Sequence, residues 1–307
     1  MQNLTNKSCT VVLPTYFPGD EIFDNIKSIP KNIKILVVDN SFDDRLLHKI
    51  SKFSNCAYFN IGDVGLGKTF NFALEKIETD YMLLTQPDVV LRENCLSNLI
   101  LGMQKYPTAG MVVPIVYDLG NYSQYDFYDL KYSKKNKKFN QDKLKNKINI
   151  EPAGDFCVDA VNATTMLIRT EVMKKIGGWD SKIYVYLEDI DICLRLHLNN
   201  YSVIKIKNAV VDHKGWSSHF SEIKDTMNVT RIWHFAWSSM YFNFKFCNKL
   251  IALSFLFKMI LKSSVKLLFS LITANKEKYK VNRTRLSACQ SIIFNKGSYF
   301  RIKHKVD

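Results

Sequence analysis

The sequence predicts an α/β protein: a mostly parallel sheet flanked by helices, followed by a basic helical extension. Three observations carry that expectation. Short, continuously apolar runs alternate with amphipathic stretches through the first half, as in strands buried on both faces and joined by crossover helices. Several of these runs stop at a proline or a carboxylate with polar neighbours. The charge is also split: Met1–His213 holds 26 Lys+Arg against 25 Asp+Glu, whereas Lys214–Asp307 holds 17 against 4, so nearly all of the net +14 sits in the last third.

At 307 residues the chain can bury one large core, or one core with an appendage. The seven cysteines are scattered, odd in number and without a CxxC pair, which excludes a disulfide framework or zinc module and fits a reducing cytosol. Met1–Thr10 is polar and lacks the apolar core of a secretory signal.

Cys9–Leu13 reads as the first strand, ending in Pro14-Thr15-Tyr16. Asp20–Ser28 follows as a helix closed by Pro30, then a strand over Ile33–Val38 that ends in Asp39-Asn40-Ser41. A helix around Asp44–Phe53, a strand over Ala57–Ile61 and helical spacing over Thr69–Ile77 continue the alternation. Tyr81–Leu84 is the fourth strand; Pro87, which has no N–H for a ladder, stops it and leaves Asp88 at its carboxyl end. A helix over Asn94–Lys105 and a strand over Gly110–Val116 complete the run. Asn121–Asn149, with Lys134-Lys135-Asn136-Lys137-Lys138, reads as a solvated surface loop or a lid.

Asp39 and Asp88 should share the carboxyl edge of a parallel sheet, where open α/β folds bind ligands. For Asp88 taken alone, a turn carboxylate that caps the next helix is the bland reading. An acidic edge suits a base or ribose hydrogen bond, or a divalent cation that carries phosphates. Gly62-Asp63-Val64-Gly65-Leu66-Gly67-Lys68-Thr69 also fits the phosphate-cradling pattern G-x-x-x-x-G-K-[ST]. Against an ATP- or GTP-hydrolysing loop, it follows a third strand, and no strand with a metal-binding Asp and a catalytic Glu comes after it.

Phe156–Arg169 reads as a strand in which the small residues Ala163, Thr164 and Thr165 would let a ligand approach the backbone. Glu171–Ile176 is a short helix stopped by Gly177-Gly178, with Trp179-Asp180 beyond. Then come Tyr184-Val185-Tyr186-Leu187 and three carboxylates in four positions, Glu188, Asp189 and Asp191. They are either an acidic helix start, favoured by the helix dipole, or a general base in an aromatic-walled pocket that lifts its pKa toward neutrality. Val203–Ile206 and Ala209–Val211 lead to His213 and Trp216; the histidine is structural, or a ligand of a metal or diphosphate.

The order Val-Leu-Pro-Thr-Tyr (12–16), Val-Val-Asp-Asn-Ser (37–41), Asn-Ile-Gly (60–62), Gln-Pro-Asp (86–88), Gly-Gly-Trp-Asp (177–180), Glu-Asp-Ile-Asp (188–191) and His213 resembles family 2 inverting glycosyltransferases, most of all the bacterial rhamnosyltransferase-type enzymes of O-antigen and capsule assembly. The resemblance covers roughly Thr10–Ser218. It implies a glycosyltransferase A-type fold and a nucleoside-diphosphate-sugar donor, dTDP- or UDP-linked. On it Pro14, Thr15, Tyr16, Asp39, Asn71, Gln86 and Asp88 would bind the nucleotide sugar, Asp88 and His213 would hold Mg²⁺ or Mn²⁺, and Asp189 would be the catalytic base. Thr164, Trp179, Glu188 and Trp216 would line the sugar and acceptor pocket. Gln86 stands where the family commonly has a carboxylate, which lowers the negative charge available to the cation. A non-catalytic sugar-nucleotide binder of the same fold is the other reading.

Residues 219–307 form the expected second domain. Asn228–Phe246 is rich in aromatics, and Leu250–Ile272 is mostly apolar and long enough to span a bilayer. Lys258, Lys262 and Lys266 argue against spanning, since each would cost about 2.5–3.5 kcal/mol at a bilayer centre. Spaced by four, they form a stripe with Ser254, opposite Leu253, Phe257, Ile260, Leu261, Leu267 and Leu268, the layout of a helix lying in an anionic membrane surface. A core-packing helix with a solvated lysine edge has the same pattern. No base-reading motif appears, so no nucleic acid is expected. A peripheral enzyme at the inner face of the cell membrane, with a saccharide or lipid-linked oligosaccharide acceptor, is the reading that unites both halves.

Overall fold

The computed structural model describes residues 8–41, 45–123, 127–128, 130, 132–139, 152–214 and 224–301. It divides into two compact units: Met1–Asp129 with Asp142–Ser181 and Asp189–Phe220, and Leu130–Gln141 with Lys182–Glu188 and Ser221–Asp307.

In chain order the elements are β1 (Cys9–Thr15), α1 (Glu21–Ser28), β2 (Lys34–Asp39), α2 (Arg45–Ile50), β3 (Cys56–Asn60), α3 (Leu66–Glu75), β4 (Tyr81–Thr85), β5 (Val89–Leu91), α4 (Cys95–Lys105), β6 (Ala109–Asp118), β7 (Asn121–Tyr122), β8 (Phe127–Tyr128), β9 (Tyr132–Ser133), β10 (Lys138–Phe139), β11 (Phe156–Val158), β12 (Ala160–Val161), β13 (Thr165–Arg169), α5 (Thr170–Lys175), α6 (Glu188–Leu198), β14 (Ser202–His213), α7 (Lys224–Phe246), α8 (Lys249–Ile272) and α9 (Lys276–Ile293).

The first unit is built on one sheet of order β11-β14-β6-β13-β4-β1-β2-β3, with β5 on β14 and β7 on β6. Strands β1 to β4 pair in parallel. Their apolar runs are buried on both faces, Val11 to Leu13 and Ile35 to Val38 included, as a sheet covered on both sides requires. The second half of the sheet is mixed. β13 is antiparallel to both β4 and β6, while β14 is parallel to β6. The direction of β13 is not legible in its apolar pattern, because a strand buried on both faces reads the same either way. Reversal matters, since it sets the start of β13 beside the end of β4, with Thr165 opposite Thr85. The expected Phe156–Arg169 strand is thus three short ones, β11, β12 and β13, whereas Val203–Ile206 and Ala209–Val211 merge into β14 through a register shift between Ile206 and Val210.

Asn25 on α1 is fully buried and donates to the carbonyls of Val89 at 2.7 Å and Gln86 at 3.0 Å. It thereby satisfies the backbone of the turn that carries Asp88, where Pro87 prevents the ladder from continuing.

The second unit is helical. Trp233, Trp237 and Met240 of α7 pack with Leu256 of α8 and Ala288 and Cys289 of α9. His234 is buried between Ser298 and Phe300: its Nε2 donates to the Phe300 carbonyl at 2.9 Å, so Nδ1 accepts from the Ser298 hydroxyl at 2.8 Å. Burial drives its pKa down to about 3, so it stays neutral. Residues 182–188 lie on α7, with Tyr184 stacked on His234 and the Val185 carbonyl accepting from Ser238. The lysine-rich stretch expected as loop is instead the turn of the β9–β10 hairpin, tied by Tyr132 to the Phe246 carbonyl and by the Asn248 amide to the Lys137 carbonyl. Much of the rest of 121–149 lies outside the described residues. Among the described residues, no helix is long and apolar enough to cross a membrane.

Replacing Asn25 by Ala removes the side-chain donor from the Val89 carbonyl and from the Gln86 carbonyl, which keeps only the Val89 amide at 3.2 Å. The expected loss is about 1–3 kcal/mol of unfolding free energy, measured as a lowered urea midpoint. An unchanged midpoint would mean that the turn holds itself.

Candidate active site

Three groups of side chains lie along the carboxyl edge of the first unit's sheet. The first is at the end of β2. Asp39 is buried and lies beside Thr15 in the β1–β2 register. Its carboxylate accepts from the Thr15 hydroxyl (2.9 Å), the Ser41 amide (3.0 Å) and hydroxyl (2.8 Å), and the Tyr58 hydroxyl (2.7 Å). This is how an acid survives burial: neutral donors surround it. Pro14 and Tyr16 flank this corner, and Tyr16 sets its ring against Phe17 at 5.0 Å.

The second group joins β5, β6 and β14. The registers set His213 opposite Asp118 on β6 and Val89 on β5, so the residue before Val89, Asp88, comes to the same imidazole. His213 Nδ1 is 2.5 Å from Asp118 Oδ1, and Nε2 is 3.5 Å from Asp88 Oδ2. Burial alone would lower the imidazole's pKa, but the two carboxylates outweigh it and the net shift is upward. The Lys214 amide fixes the Asp88 backbone, donating to its carbonyl at 2.9 Å.

The third group centres on Ala163, just before β13. Its carbonyl accepts from Gln86 Nε2 at 3.0 Å, and its amide donates to Asp189 Oδ2 at 3.0 Å. The neighbouring Thr164 carbonyl takes the Gln86 amide at 3.2 Å. Asp189 is therefore two hydrogen-bonded links from the end of β4. It keeps some exposure to solvent, yet burial pushes its pKa up to about 6, against the opposing amide bonds from Ile190 and Ala163. Asp191, beside it on α6, is neutralised by Arg195 at 2.7 Å.

Asn71 and Trp179 form a separate clamp. The Asn71 amide donates to the Trp179 carbonyl at 2.9 Å and its Oδ1 accepts from the Trp179 amide at 2.8 Å, while the indole packs on Phe70. Gly178 has a φ of +67°, and a Cβ there would collide with Asn71 Oδ1. The indole Nε1 is buried with no hydrogen-bond partner among the described residues, a donor that a bound ligand could satisfy. Glu188 falls in the second unit, buried near Tyr186, whose phenol burial pushes up to about 12. Trp216 lies outside the described residues.

The phosphate-loop reading is not favoured. Helix α3 already begins at Leu66 with Gly65 as its cap, so only a short turn remains to wrap a phosphate. Thr69 spends its hydroxyl on Asn40 Oδ1 and the Gly65 carbonyl, and Lys68 points to solvent. β3, before it, is the sheet's edge strand.

Sequence reasoning did not find Asn25, Tyr58 or Asp118, and it singled out Ala163 for its small size, not for the two hydrogen bonds its backbone makes. Asp118 carried a faint signal: like Asp39, it ends an apolar strand.

Residues 10–158 match Glycosyl transferase family 2. Rhamnosyltransferase WbbL of Escherichia coli (strain K12) is 27% identical over 190 residues, 58% of this chain and 71% of that protein. GalNAc-T7, crystallised with UDP, GalNAc and Mn²⁺, superposes with a TM-score of 0.54 at 14% identity over 76% of this chain and 52% of its own, so this chain spans about half its length. The mannosyltransferase PcManGT from Pyrobaculum calidifontis, in complex with GDP-Man and Mn²⁺, gives 0.52 at 13% identity over 94% and 87%. S. aureus TarS 1-349 gives 0.50 at 14% identity over 94% and 92%. At such identities these structures speak to the fold, which is glycosyltransferase A-type. With that fold and the match over residues 10–158, the chain carries a glycosyl transferase family 2 domain and is a glycosyltransferase.

Proposed function

We propose that the chain is an inverting transferase moving rhamnose, or another hexose, from a dTDP- or UDP-linked donor to a hydroxyl of a saccharide acceptor in cell-surface polysaccharide synthesis. The acceptor is lipid-linked, and the enzyme works from the cytoplasm, peripherally attached to the inner face of an anionic membrane. One observation carries the reaction type: the Asp189 carboxylate accepts from the Ala163 amide, whose carbonyl accepts from Gln86 at the strand end that bears Asp88, and burial raises the pKa of Asp189.

Asp39, Thr15 and Tyr16 would hold the base and ribose, with Gln86 and Asp88 nearer the diphosphate. The acceptor hydroxyl attacks the anomeric carbon from the face opposite the leaving group. As the new C–O bond forms, its proton passes to the Asp189 carboxylate and the bond from the anomeric carbon to the phosphate oxygen breaks, releasing the nucleoside diphosphate. One displacement inverts configuration and needs no covalent intermediate. The Trp179 indole N–H is available to an oxygen of either sugar.

The donor set suits Mg²⁺ or Mn²⁺: Asp88 offers a buried carboxylate, and Asp118 accepts the hydrogen bond from His213 Nδ1–H, which leaves Nε2 facing Asp88. Among the described residues no three His, Cys, Asp or Glu side chains form a cage of their own, so phosphate oxygens of the donor would complete the shell, as is usual for Mg²⁺. Held there, the cation would offset charge on the departing diphosphate.

Transfer should fall off on the acid side with a midpoint near pH 6, because protonation below that value removes the base; an ordinary carboxylate would place this limb near pH 4. Asp189→Asn is expected to cost a hundredfold or more, roughly the upper part of the general-base range, while donor binding survives. Near-normal transfer by that variant would sink the reading. Asp118→Asn should weaken Mn²⁺ binding in the presence of nucleoside diphosphate by about tenfold or more, measured by calorimetry. Lys68→Ala should leave transfer unchanged; loss of activity there would revive the phosphate-loop reading.

A further inference from the structure

Helix α8 divides into three sectors when its residues are laid out at roughly 100° each. Ala252, Leu256, Ser263 and Ser270 are buried, and Met259 and Ile260 pack with them on the core shared with α7 and α9. On the outer side Phe257, Leu261, Val265, Leu268 and Ile272 are each more than half exposed. They recur at three- and four-residue steps and so form one straight apolar stripe along the helix. Lys258, Lys262 and Lys266 form the third sector, immediately beside that stripe, all exposed. One face of the helix thus packs on the core and another is exposed: Ile260 and Leu267 turn away from the outer stripe, and the lysines adjoin it instead of opposing it.

An exposed apolar run of this length is unusual on a soluble surface and marks a docking site. We propose that this face of α8 seats the chain on an anionic lipid bilayer, the helix lying in the interface plane with the apolar stripe among acyl chains and the lysine stripe against headgroup phosphates. The inference deepens the membrane part of the proposed function and rests on that part alone; it does not depend on the transfer chemistry.

Charge selects the bilayer over a second copy of the chain. From Lys249 to Arg301 there are 11 Lys+Arg and one acid, Glu277. A twofold pair seamed along the apolar stripe would set two lysine stripes beside one another with almost no carboxylate to offset them. An anionic surface satisfies the stripe and the lysines together. Spanning is excluded by the lysines themselves, and the helix falls short of a crossing segment.

The test is vesicle flotation of the full chain without sugar donor, using phosphatidylcholine alone or with about one third phosphatidylglycerol, alongside light scattering for oligomeric state. The chain is expected to float with anionic vesicles and not with neutral ones. Lys258→Gln, Lys262→Gln and Lys266→Gln combined should weaken partitioning roughly a hundredfold, at about a factor of five per lysine. Phe257→Ser with Leu261→Ser should weaken it by a similar order. All five positions are exposed or on the outer face, so unchanged thermal midpoints are expected and separate lost docking from lost folding. Partitioning that ignores both sets of changes overturns the proposal. So does a dimer that the serine variants dissociate while no vesicle binds, since a second copy would then own the face. Transfer to a soluble acceptor, measured on the same variants, distinguishes this failure from failure of the catalytic reading.

Discussion

Both backbone polar groups of Ala163 serve the site, and the arrangement depends on them. The carbonyl takes the Gln86 amide and the amide N–H binds Asp189. This is possible because β13 runs against its neighbours, so that its first residues, and not its last, reach the edge where β4 stops. A parallel strand in that position would carry its beginning to the far side of the sheet. The antiparallel insertion therefore does more than fill space between β4 and β6. It brings the backbone before β13 within hydrogen-bond reach of a turn more than seventy residues earlier and a helix that follows it.

Three acids near one edge could be expected to repel, and each is handled differently. Asp39 is surrounded by hydroxyl and amide donors. Asp88 has an imidazole beside it, itself held by a second carboxylate. Asp189 has two backbone amides, and burial still raises its pKa. On the proposed function those surroundings suit different tasks: Asp39 is an acceptor fixed by its hydrogen bonds, and Asp189, whose pKa burial raises, is the acid placed to take a proton.

Local punctuation made much of the fold legible. Pro87 had to end β4, and the apolar runs before Asp39 and Asp88 had to be strands covered on both faces, so both acids had to share an edge. What stayed hidden was pairing. Nothing in Thr165–Arg169 encodes its direction, and nothing near Asp118 names a histidine ninety-five residues on as its neighbour. Asn25 looked like any polar residue on an amphipathic helix, because its acceptors are two carbonyls contributed by another segment. The Gly62–Thr69 pattern misled for a related reason: it specifies residue types, whereas phosphate cradling needs a loop, and here the helix starts too early to leave one. For α8 the sequence set the lysine spacing but left open which face the protein covers.

The geometry around His213 bears on how a cation would arrive. With Nδ1–H donated to Asp118, Nε2 presents a lone pair to a carboxylate oxygen 3.5 Å away. The two carboxylates beside the ring outweigh its burial and raise the imidazole's pKa, so this place favours a positive charge. A metal would compete for the same place. Gln86, where a carboxylate would add a second negative charge, leaves the protein's share of the coordination small. On the proposed reading, Asp88 and His213 would supply only part of the ion's ligands, and phosphate oxygens of the donor would supply the rest.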